Sequence, residues 1–373
     1  HPLFMLTNLK LLHFRNYDRC DWNLEPGLNL LVGPNGQGKT NLLEAVYYLA
    51  LLRSFRTNQI SNLKQWQRDG FYLEGNCRQK DGSTLKLAVS YGTERKLSVN
   101  GIPVHKTSEF ITRFICSTFI PEDLEIVKGG AVLRRRFLDI ALSQLSGTYL
   151  RDLQQYSTAL RSRNVMLKQP TKYPRSTVTA YDVMLVEKGV VIEQARKEFI
   201  DKLNLALLEQ SQLFFGERKV LSVKYVSGIT APIKLSPMIG DDEREIYREI
   251  LQRNYERDCR DGCTRYGPHR SEMNCLLSGN HLASFGSEGE CRIAALALRF
   301  ACLKIMQLEL DRQDVTLIVD DVLGELDQHH RGIFLQQLEQ SGQVIIACTE
   351  VPTELTAPKK IFKVTGGQIL ENY

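Results

Sequence analysis

A chain of 373 residues is too long for one ordinary hydrophobic core and suits either two domains or one domain with a large insertion. Its 43% hydrophobic and 24% charged residues are typical of globular proteins, and no apolar run is long enough to span a bilayer, which excludes a membrane-spanning class. The net charge of +5 permits nucleic-acid binding without requiring it, and nine cysteines without a repeating spacing favour reduced thiols and a cytoplasmic location.

The first 120 residues combine predicted strands with one glycine-rich turn. Apolar positions predict strands over residues 6–14, 20–24 and 28–32. From Lys39 the apolar residues recur at helical spacing, so a helix is predicted soon after the third strand. Short strands are predicted between residues 71 and 106. The last two are joined by Asn100-Gly101, a dipeptide suited to a type I′ turn because both central residues need positive φ.

Residues 121–261 have a different pattern, with apolar residues at a 3.6-residue spacing, and they predict an inserted all-helical lobe. No a/d heptad pattern persists in this segment, which argues against a long coiled coil. From residue 262 to 373 the α/β pattern returns. The elements predicted there are a helix over 291–308, a buried strand over 315–319, a helix over 328–340 and a strand over 343–347. The segments 1–120 and 262–373 are therefore predicted to form one domain.

A phosphate-binding loop is predicted between the third strand and the first helix. Residues 33–40 match the pattern G-x-x-x-x-G-K-[ST], in which backbone N–H groups and a helix N-terminus hold phosphate oxygens. Lys39 is expected to bind the β- and γ-phosphates, and Thr40 to ligate Mg²⁺. The predicted nucleotide-binding residues of the loop are Gly33, Pro34, Asn35, Gly36, Gln37, Gly38, Lys39 and Thr40.

Two further turns carry residues suited to the same chemistry. A phosphate loop needs a carboxylate at the end of a neighbouring parallel strand, and Asp320 follows such a strand, so we expect it to hold the metal ion. Asp321 is the candidate that orients or polarises the attacking water. Ser287 and Gly289 precede the helix predicted from Cys291, where a hydroxyl and a backbone N–H can contact an anion.

These motifs, in this order, resemble the ABC ATPases and more narrowly the RecF family of the SMC-like group. The resemblance covers nearly the whole chain, and its most specific motifs are those of the lobe and the sequence G-P-H-R. The matching segments are 14–17, 33–40, 121–124, 135–139, 163–164, 267–270, 287–292, 320–321 and 325–327. The implied fold is α/β, an ABC-type P-loop ATPase head with a mixed sheet and an antiparallel β part, carrying the inserted all-helical lobe.

The resemblance also implies site roles. The segment 287–292 corresponds to the family's signature motif, through which Ser287 and Gly289 contact the nucleotide of a second subunit, and Arg15 is implied to contact nucleotide as well. Lys39, Asp321 and Thr349 are the implied catalytic residues, with Thr349 at the switch position that carries His in most ABC ATPases.

Two other departures from the family's pattern matter. Ser271-Glu272 stands where the family has two aspartates, so any role for that pair is not carried over. Glu290 stands where Gln is expected, and its negative charge would weaken docking of a triphosphate unless a cation covers it.

The implied function is a weak, DNA-stimulated ATPase that dimerises on ATP and closes on gapped or single-strand/duplex junction DNA. The resemblance further implies cooperation with RecR and RecO in loading RecA during DNA replication, repair and the SOS response to DNA damage. A basic surface in the lobe is the predicted DNA contact, formed by Arg134, Arg135, Arg136, Arg161 and Arg163. These arginines could equally form a solvated helix face or internal ion pairs with Asp139 and Asp152.

Two other function classes share the ATP site. A transporter nucleotide-binding subunit is disfavoured because the insertion separates Thr40 from Asp320 far more than a compact subunit would. A cohesion ATPase of the SMC or RecN type needs long coiled-coil arms, which the lobe does not predict.

Overall fold

The computed structural model describes residues 5–79, 81–230, 242–310, 315–357 and 359–371. Its strands are β1 (Met5–Phe14), β2 (Tyr17–Asn23), β3 (Leu28–Val32), β4 (Phe71–Arg78), β5 (Thr84–Tyr91), β6 (Arg95–Val99), β7 (Ile102–Val104), β8 (Cys116–Phe119), β9 (Leu221–Val226), β10 (Glu272–Leu277), β11 (Asn280–His281), β12 (Thr316–Asp320), β13 (Val344–Cys348), β14 (Lys359–Thr365) and β15 (Gln368–Glu371).

The helices are α1 (Lys39–Leu51), α2 (Thr107–Ile111), α3 (Leu124–Lys128), α4 (Ala131–Leu145), α5 (Gly147–Leu167), α6 (Arg175–Phe215), α7 (Glu243–Arg253), α8 (Tyr255–Asp261), α9 (Leu282–Phe285), α10 (Glu288–Glu309) and α11 (Gln328–Glu339). Short 3₁₀ turns cover Ile60–Leu63, Pro121–Asp123, Pro268–Arg270 and Leu323–Glu325. Within the described ranges, none of the helices combines the length and apolar character that crossing a bilayer requires.

The chain divides into two compact units, which we call the head unit (residues 1–123 and 295–373) and the lobe unit (residues 124–294). The sequence predicted domain boundaries after residues 120 and 261. In the structure the corresponding boundaries follow residues 123 and 294, so the second one differs. Strand pairing explains the change, because β10 pairs antiparallel with β9, with Leu277 opposite Leu221. The lobe therefore contains helices together with a small sheet in the order β11-β10-β9, which its helical periodicity did not predict.

The head unit contains two six-stranded sheets. The first is antiparallel, in the order β2-β1-β4-β5-β6-β7, and Asn100 and Gly101 turn its last hairpin with φ values of 51° and 80°. The second has the order β15-β14-β3-β13-β12-β8, and its strands from β14 to β8 run parallel. All five residues of β12 are buried, which explains the continuous apolar sequence that predicted it. The predicted mixed sheet and antiparallel part are both confirmed.

An aromatic cluster packs beside the end of the parallel sheet in the head unit. Phe119 of β8, Phe300 of α10 and Phe334 of α11 are fully or almost fully buried. Their ring centroids lie 4.6, 5.2 and 5.6 Å apart, within the range of favourable aromatic pairs. On the same sheet α1 packs against β12 and β13, so the helix that begins at Lys39 rests on the strand that ends at Asp320.

Arg163, predicted to bind DNA, is instead buried inside the lobe unit with 0% exposure. Its Nε donates to Asp182 at 2.7 Å, and its Nη1 donates to Asp258 at 2.7 Å and to Thr264 at 2.9 Å. A guanidinium can be buried in this way because two carboxylates neutralise it and accept its hydrogen bonds. Arg163 therefore connects α5, α6 and α8 and cannot contact DNA in this arrangement.

Arg134 is also removed from the predicted basic surface. It is 8% exposed, and its guanidinium donates to both carboxylate oxygens of Glu272, at 2.7 and 2.9 Å, so that it joins α4 to β10. Arg135 donates to the carbonyl oxygen of Ser271 at 2.7 Å and is partly buried, as is Arg136. Arg161 alone among the five predicted arginines is exposed, so the predicted surface is not present as a set.

The acids proposed as alternative partners of these arginines pair elsewhere in the lobe. Asp139 accepts from Arg196 at 2.7 Å, and Asp152 accepts from Lys188 at 2.8 Å. Arg134 and Arg163 do form internal ion pairs, as the alternative interpretation expected. Their partners are other acids than Asp139 and Asp152.

Replacing Arg163 with Ala should lower the free energy of unfolding by about 3–5 kcal/mol, because it leaves two buried carboxylates without their cation. Arg161→Ala, an exposed site on the same helix, is the matched control and should change stability by less than about 0.5 kcal/mol. Urea titration followed by circular dichroism measures both. Equal losses in the two variants would contradict the assigned role of Arg163.

His269 should make the stability of the chain depend on pH. Its Nε2–H donates to the Thr264 carbonyl at 2.9 Å, and its Nδ1 accepts from the Tyr156 hydroxyl at 2.6 Å, so the ring is held neutral. Burial lowers its pKa from 6.5 to about 4. Between pH 6.5 and 4, His269 binds a proton in the unfolded chain but stays neutral in the folded chain. The free energy of unfolding therefore decreases as the pH falls through that range.

His269→Gln removes the titrating ring, and its free energy of unfolding should fall less steeply than that of the wild type between pH 6.5 and 4. Urea midpoints at several pH values measure the two slopes, and the comparison is independent of any constant loss that the substitution causes. Parallel slopes would show that His269 does not titrate as described.

Candidate nucleotide-binding site

Three neighbouring strands of the parallel sheet end at one cleft in the head unit. β3 leads into the phosphate loop, β13 ends before Thr349, and β12 ends at Asp320. Because the carboxyl ends of parallel strands lie at the same edge of a sheet, these side chains meet although they are distant in sequence. The cleft has a volume of about 370 Å³, and its lining includes Asn35, Gly36, Gly38, Lys39, Thr40, Asn41, Arg56, Asp320, Asp321, Ala347, Cys348 and Thr349.

The phosphate loop is supported by the turn between β1 and β2. Gly38 has φ of 111°, and a Cβ atom there would come within 2.6 Å of the Asn16 side chain and 2.8 Å of the Tyr17 hydroxyl. Tyr17 donates to the carbonyl oxygen of Gly38 at 3.1 Å. Gly33 is confined in another way, since a Cβ atom there would lie 2.4 Å from the Val364 carbonyl oxygen. These close approaches explain why glycine is needed at both positions.

Lys39, the first residue of α1, is a largely buried residue whose amine bonds to the loop. Its Nζ donates to the carbonyl oxygens of Gly33 and Pro34, at 2.6 and 2.8 Å. Burial lowers the pKa of this amine, while Cys348, Asp320 and Asp321 act in the opposite direction. The ammonium is therefore held over the loop, where it can neutralise phosphate oxygens.

Thr40 and Asp320 bring two oxygen atoms together on the cleft wall. The Thr40 hydroxyl donates to Asp320 Oδ1 at 3.1 Å. Burial raises the pKa of Asp320, and the hydrogen bond from Thr40 opposes that rise. A hydroxyl and a carboxylate are hard oxygen donors of the kind that Mg²⁺ takes beside a nucleotide, so the pair fits that ion.

Asp321 and Thr349 are both exposed and both line the cleft, as their predicted catalytic roles require. Asp321 has φ of 51°, a left-handed conformation that is uncommon for residues other than glycine. This backbone turn comes immediately after Asp320, the last residue of β12, and both aspartates line the cleft. Their division into a metal ligand and a water-orienting residue stays a prediction.

Arg15, predicted to contact nucleotide, is not among the described residues that line the cleft. Its guanidinium donates to both carboxylate oxygens of Glu44, each at 2.7 Å, and to the Asn62 carbonyl oxygen at 2.7 Å. Glu44 is 0% exposed and needs a cation, which fixes Arg15 away from the lining. Arg15 is thus assigned to holding α1 and the following loop together.

Other loop residues have supporting positions. Gln37 accepts from Gly366 N–H at 2.8 Å through its side chain and from Gly367 N–H at 3.1 Å through its carbonyl oxygen. Gly33 and Pro34 contribute the carbonyl groups that hold Lys39. These residues shape the loop, whereas Asn35, Gly36 and Gly38 lie on the cleft surface.

Arg56 lines the cleft and was not singled out from the sequence. Its guanidinium donates to Asn41 at 2.8 Å and lies 3.8 Å from Glu44, and its side chain is 43% exposed. A cation at this position suits a cleft built for a triphosphate. Arg56 belongs to no motif, and a lone Arg in a polar loop gives no sequence signal of its position.

Ser287 and Gly289 lie in the lobe unit, at the start of α10. Ser287 Oγ accepts from the Glu290 N–H at 3.2 Å, and the Glu290 carboxylate accepts from the Ser287 N–H at 2.9 Å, so the two residues form a capping box. Both Ser287 and Gly289 are exposed. A Cβ atom at Gly289 would meet none of the described atoms within 4 Å, so the packing of the chain itself does not require glycine there.

Comparison with known proteins shows the family to which this chain belongs. The family described as RecF/RecN/SMC N terminal domain matches residues 5–369. The DNA replication and repair protein RecF of Clostridium botulinum (strain Eklund 17B / Type B) is 34% identical over 367 residues, covering 97% of this chain and 98% of that protein. RecF of Latilactobacillus sakei subsp. sakei (strain 23K) is 33% identical over 376 residues, covering 98% of each.

The fold is also similar to a solved structure. The recombination mediator protein RecF of the RecFOR pathway, solved with ATP, superposes with a TM-score of 0.91 at 29% identity, covering 100% of this chain and 99% of that one. The family match, the full-length sequence similarity and the similar fold point to the same family. The chain therefore belongs to the RecF family of DNA replication and repair proteins.

Proposed function

We propose that ATP joins two copies of this chain into a dimer that closes on DNA, and that slow hydrolysis opens it again. The observation that carries the proposal is the exposed turn at Ser287 and Gly289, which has the groups to bind an anion. Here a hydroxyl and backbone N–H groups stand at the N-terminus of a 22-residue helix. The nucleotide held by the phosphate loop of a second copy is the anion that we assign to this turn.

The surroundings of the turn support its contact with another molecule. Phe285, two residues before Ser287, is 78% exposed, and large exposed aromatic side chains are common where proteins meet. An added Cβ at Gly289 would meet no described atom within 4 Å, so the packing of the chain does not explain the glycine. An approaching phosphate would explain it, since a glycine lets the ligand reach the backbone.

Within the cleft, each lining residue has a proposed task in ATP hydrolysis. Lys39 binds the β- and γ-phosphates, and Thr40 and Asp320 hold Mg²⁺, which when bound neutralises charge on the phosphates. Asp321 orients the attacking water, and Thr349 faces the same space from the end of β13. Asp321 is one methylene shorter than the Glu of many ABC ATPases, and a misplacement of about 1 Å can cost about 10²-fold in rate. Hydrolysis is therefore expected to be slow.

Binding of ATP is enough to drive dimerisation by linkage. If nucleotide binds the closed dimer at about 100 times its dissociation constant, it contributes about 2.7 kcal/mol per site. That amount converts a weak self-association into a stable one. Loss of the γ-phosphate removes contacts on both sides of the seam, so hydrolysis acts as a timer.

We further propose that the dimer binds gapped or single-strand/duplex junction DNA and helps RecR and RecO to load RecA. Support comes from the relatives named as DNA replication and repair proteins and from the RecFOR pathway named for the solved neighbour. The chain has no base-reading motif, so contact with the DNA backbone is the proposed mode, and affinity should fall steeply with salt. Because Arg134 and Arg163 are buried, we assign them no part in this contact.

The dimer is tested by measuring the mass of the protein in solution with and without ATP, in the presence and absence of gapped DNA. The wild type should become dimeric with ATP, and Lys39→Ala should stay monomeric because it loses the phosphate contact. Asp321→Asn should accumulate as an ATP-bound dimer on DNA, since it binds nucleotide but cannot position the water. A wild type whose mass is indifferent to nucleotide would refute the proposal.

The timer is tested by steady-state ATPase measurements. Turnover without DNA should stay below about 10 s⁻¹, a median enzyme rate, and should rise when gapped DNA is added. Asp321→Asn should lower it by about 10²-fold or more. Fast turnover without DNA, or an unaffected Asn variant, would contradict the role given to Asp321.

A further inference from the structure

Lys219 lies beside the residue that departs from the family's signature. Its Nζ is 2.6 Å from Glu290 Oε1, and the side chains of the two residues are 49% and 29% exposed. Both belong to the lobe unit, with Lys219 just before β9 and Glu290 in the first turn of α10. The position at which the resemblance expects a neutral Gln thus carries an acid together with its own cation.

The second oxygen of Glu290 occupies the hydrogen-bond donors of Ser287. Oε2 accepts from the Ser287 N–H at 2.9 Å and from the Ser287 hydroxyl at 3.0 Å. Lys219 and these Ser287 bonds lower the pKa of Glu290 to about 2, so it stays anionic at neutral pH. A carboxylate therefore already sits on the donors that a phosphate oxygen would use.

We propose that Lys219 and Glu290 form a charge-compensated pair that sets how tightly the nucleotide of a second copy docks at Ser287. The inference rests on the proposed ATP-driven dimer. An arriving triphosphate must take the Ser287 donors from Glu290, and Lys219 keeps the displaced carboxylate neutralised through its other oxygen. Without Lys219, an uncompensated negative charge would face the triphosphate and repel it.

A purely stabilising role is a weaker explanation of the pair. Ion pairs at this exposure contribute little to folding because solvent screens them. Ser287 could be capped as well by Gln, which forms the same capping box without a charge. The charge itself is therefore what the pair adds, and like charges brought together across an interface weaken association.

The test is a double-mutant cycle on ATP-dependent dimerisation, measured by sedimentation with a slowly hydrolysed ATP analogue. Lys219→Gln leaves the turn with one extra negative charge and should weaken the dimer by about tenfold, since both sites of a symmetric dimer change. Glu290→Gln leaves one extra positive charge and should strengthen it by about threefold or more. The double variant restores neutrality and should lie within about threefold of the wild type, so the single effects offset each other.

Controls separate docking from folding and from ATP binding. Titration of a fluorescent ATP analogue into dilute monomer should give the same affinity for all variants, because Lys219 and Glu290 lie outside the head unit. Lys224→Gln removes an exposed lysine of β9 and should leave dimerisation unchanged. Thermal unfolding of the variants should match that of the wild type closely.

The outcomes distinguish the pair from the dimer itself. A wild type that remains monomeric with ATP overturns both proposals. A wild type that dimerises while Lys219→Gln and Glu290→Gln behave like it, or shift affinity in the same direction, overturns the charge-compensated pair alone. Opposite shifts that cancel in the double variant support the pair.

Discussion

The hydrogen bond from Thr40 to Asp320 joins residues 280 positions apart in sequence. The nucleotide site forms only if the fold brings these two residues together. The parallel order β3-β13-β12 does so, because the loop after β3 and the acids after β12 emerge at the same edge, with β13 between them. The aromatic cluster beside β8 and the packing of α1 on β12 stabilise this order. The lobe can therefore be inserted in the sequence between Thr40 and Asp320 without separating these two residues in the folded head unit.

Local patterns predicted the parts of the site that depend on nearby residues. The spacing of Gly33, Gly38 and Lys39 specifies a loop whatever surrounds it, and the apolar strand before Asp320 identifies a buried strand end. Arg163 could not be placed in the same way. Its partners, Asp182 and Asp258, come from other helices, and a basic run on a helix looks alike whether it faces solvent or distant acids.

Long-range pairing explains the remaining differences. β9 follows a long helical stretch and gains its partner only after α8, so periodicity within 121–261 could not show that the lobe contains a sheet. Arg15 matched a family motif, yet the buried Glu44 determines where its guanidinium lies. The acid at Glu290 was visible in the sequence as a departure, whereas the cation beside it, 71 positions earlier, was not.

The contacts of Gln37 tie the phosphate loop to the tight turn between β14 and β15. Gly366 and Gly367 have φ of 56° and 75°, which lets both of their N–H groups point at one loop residue. Hairpin turns elsewhere commonly accept extra residues during evolution without harm. The turn between β14 and β15 is constrained in length, because an inserted residue would move the two glycine N–H groups away from Gln37. The phosphate loop would then lose two hydrogen bonds that support its conformation. Among relatives, insertions and deletions are accordingly expected to be rare in the turn between β14 and β15. They should be more frequent in loops that do not contact the phosphate loop.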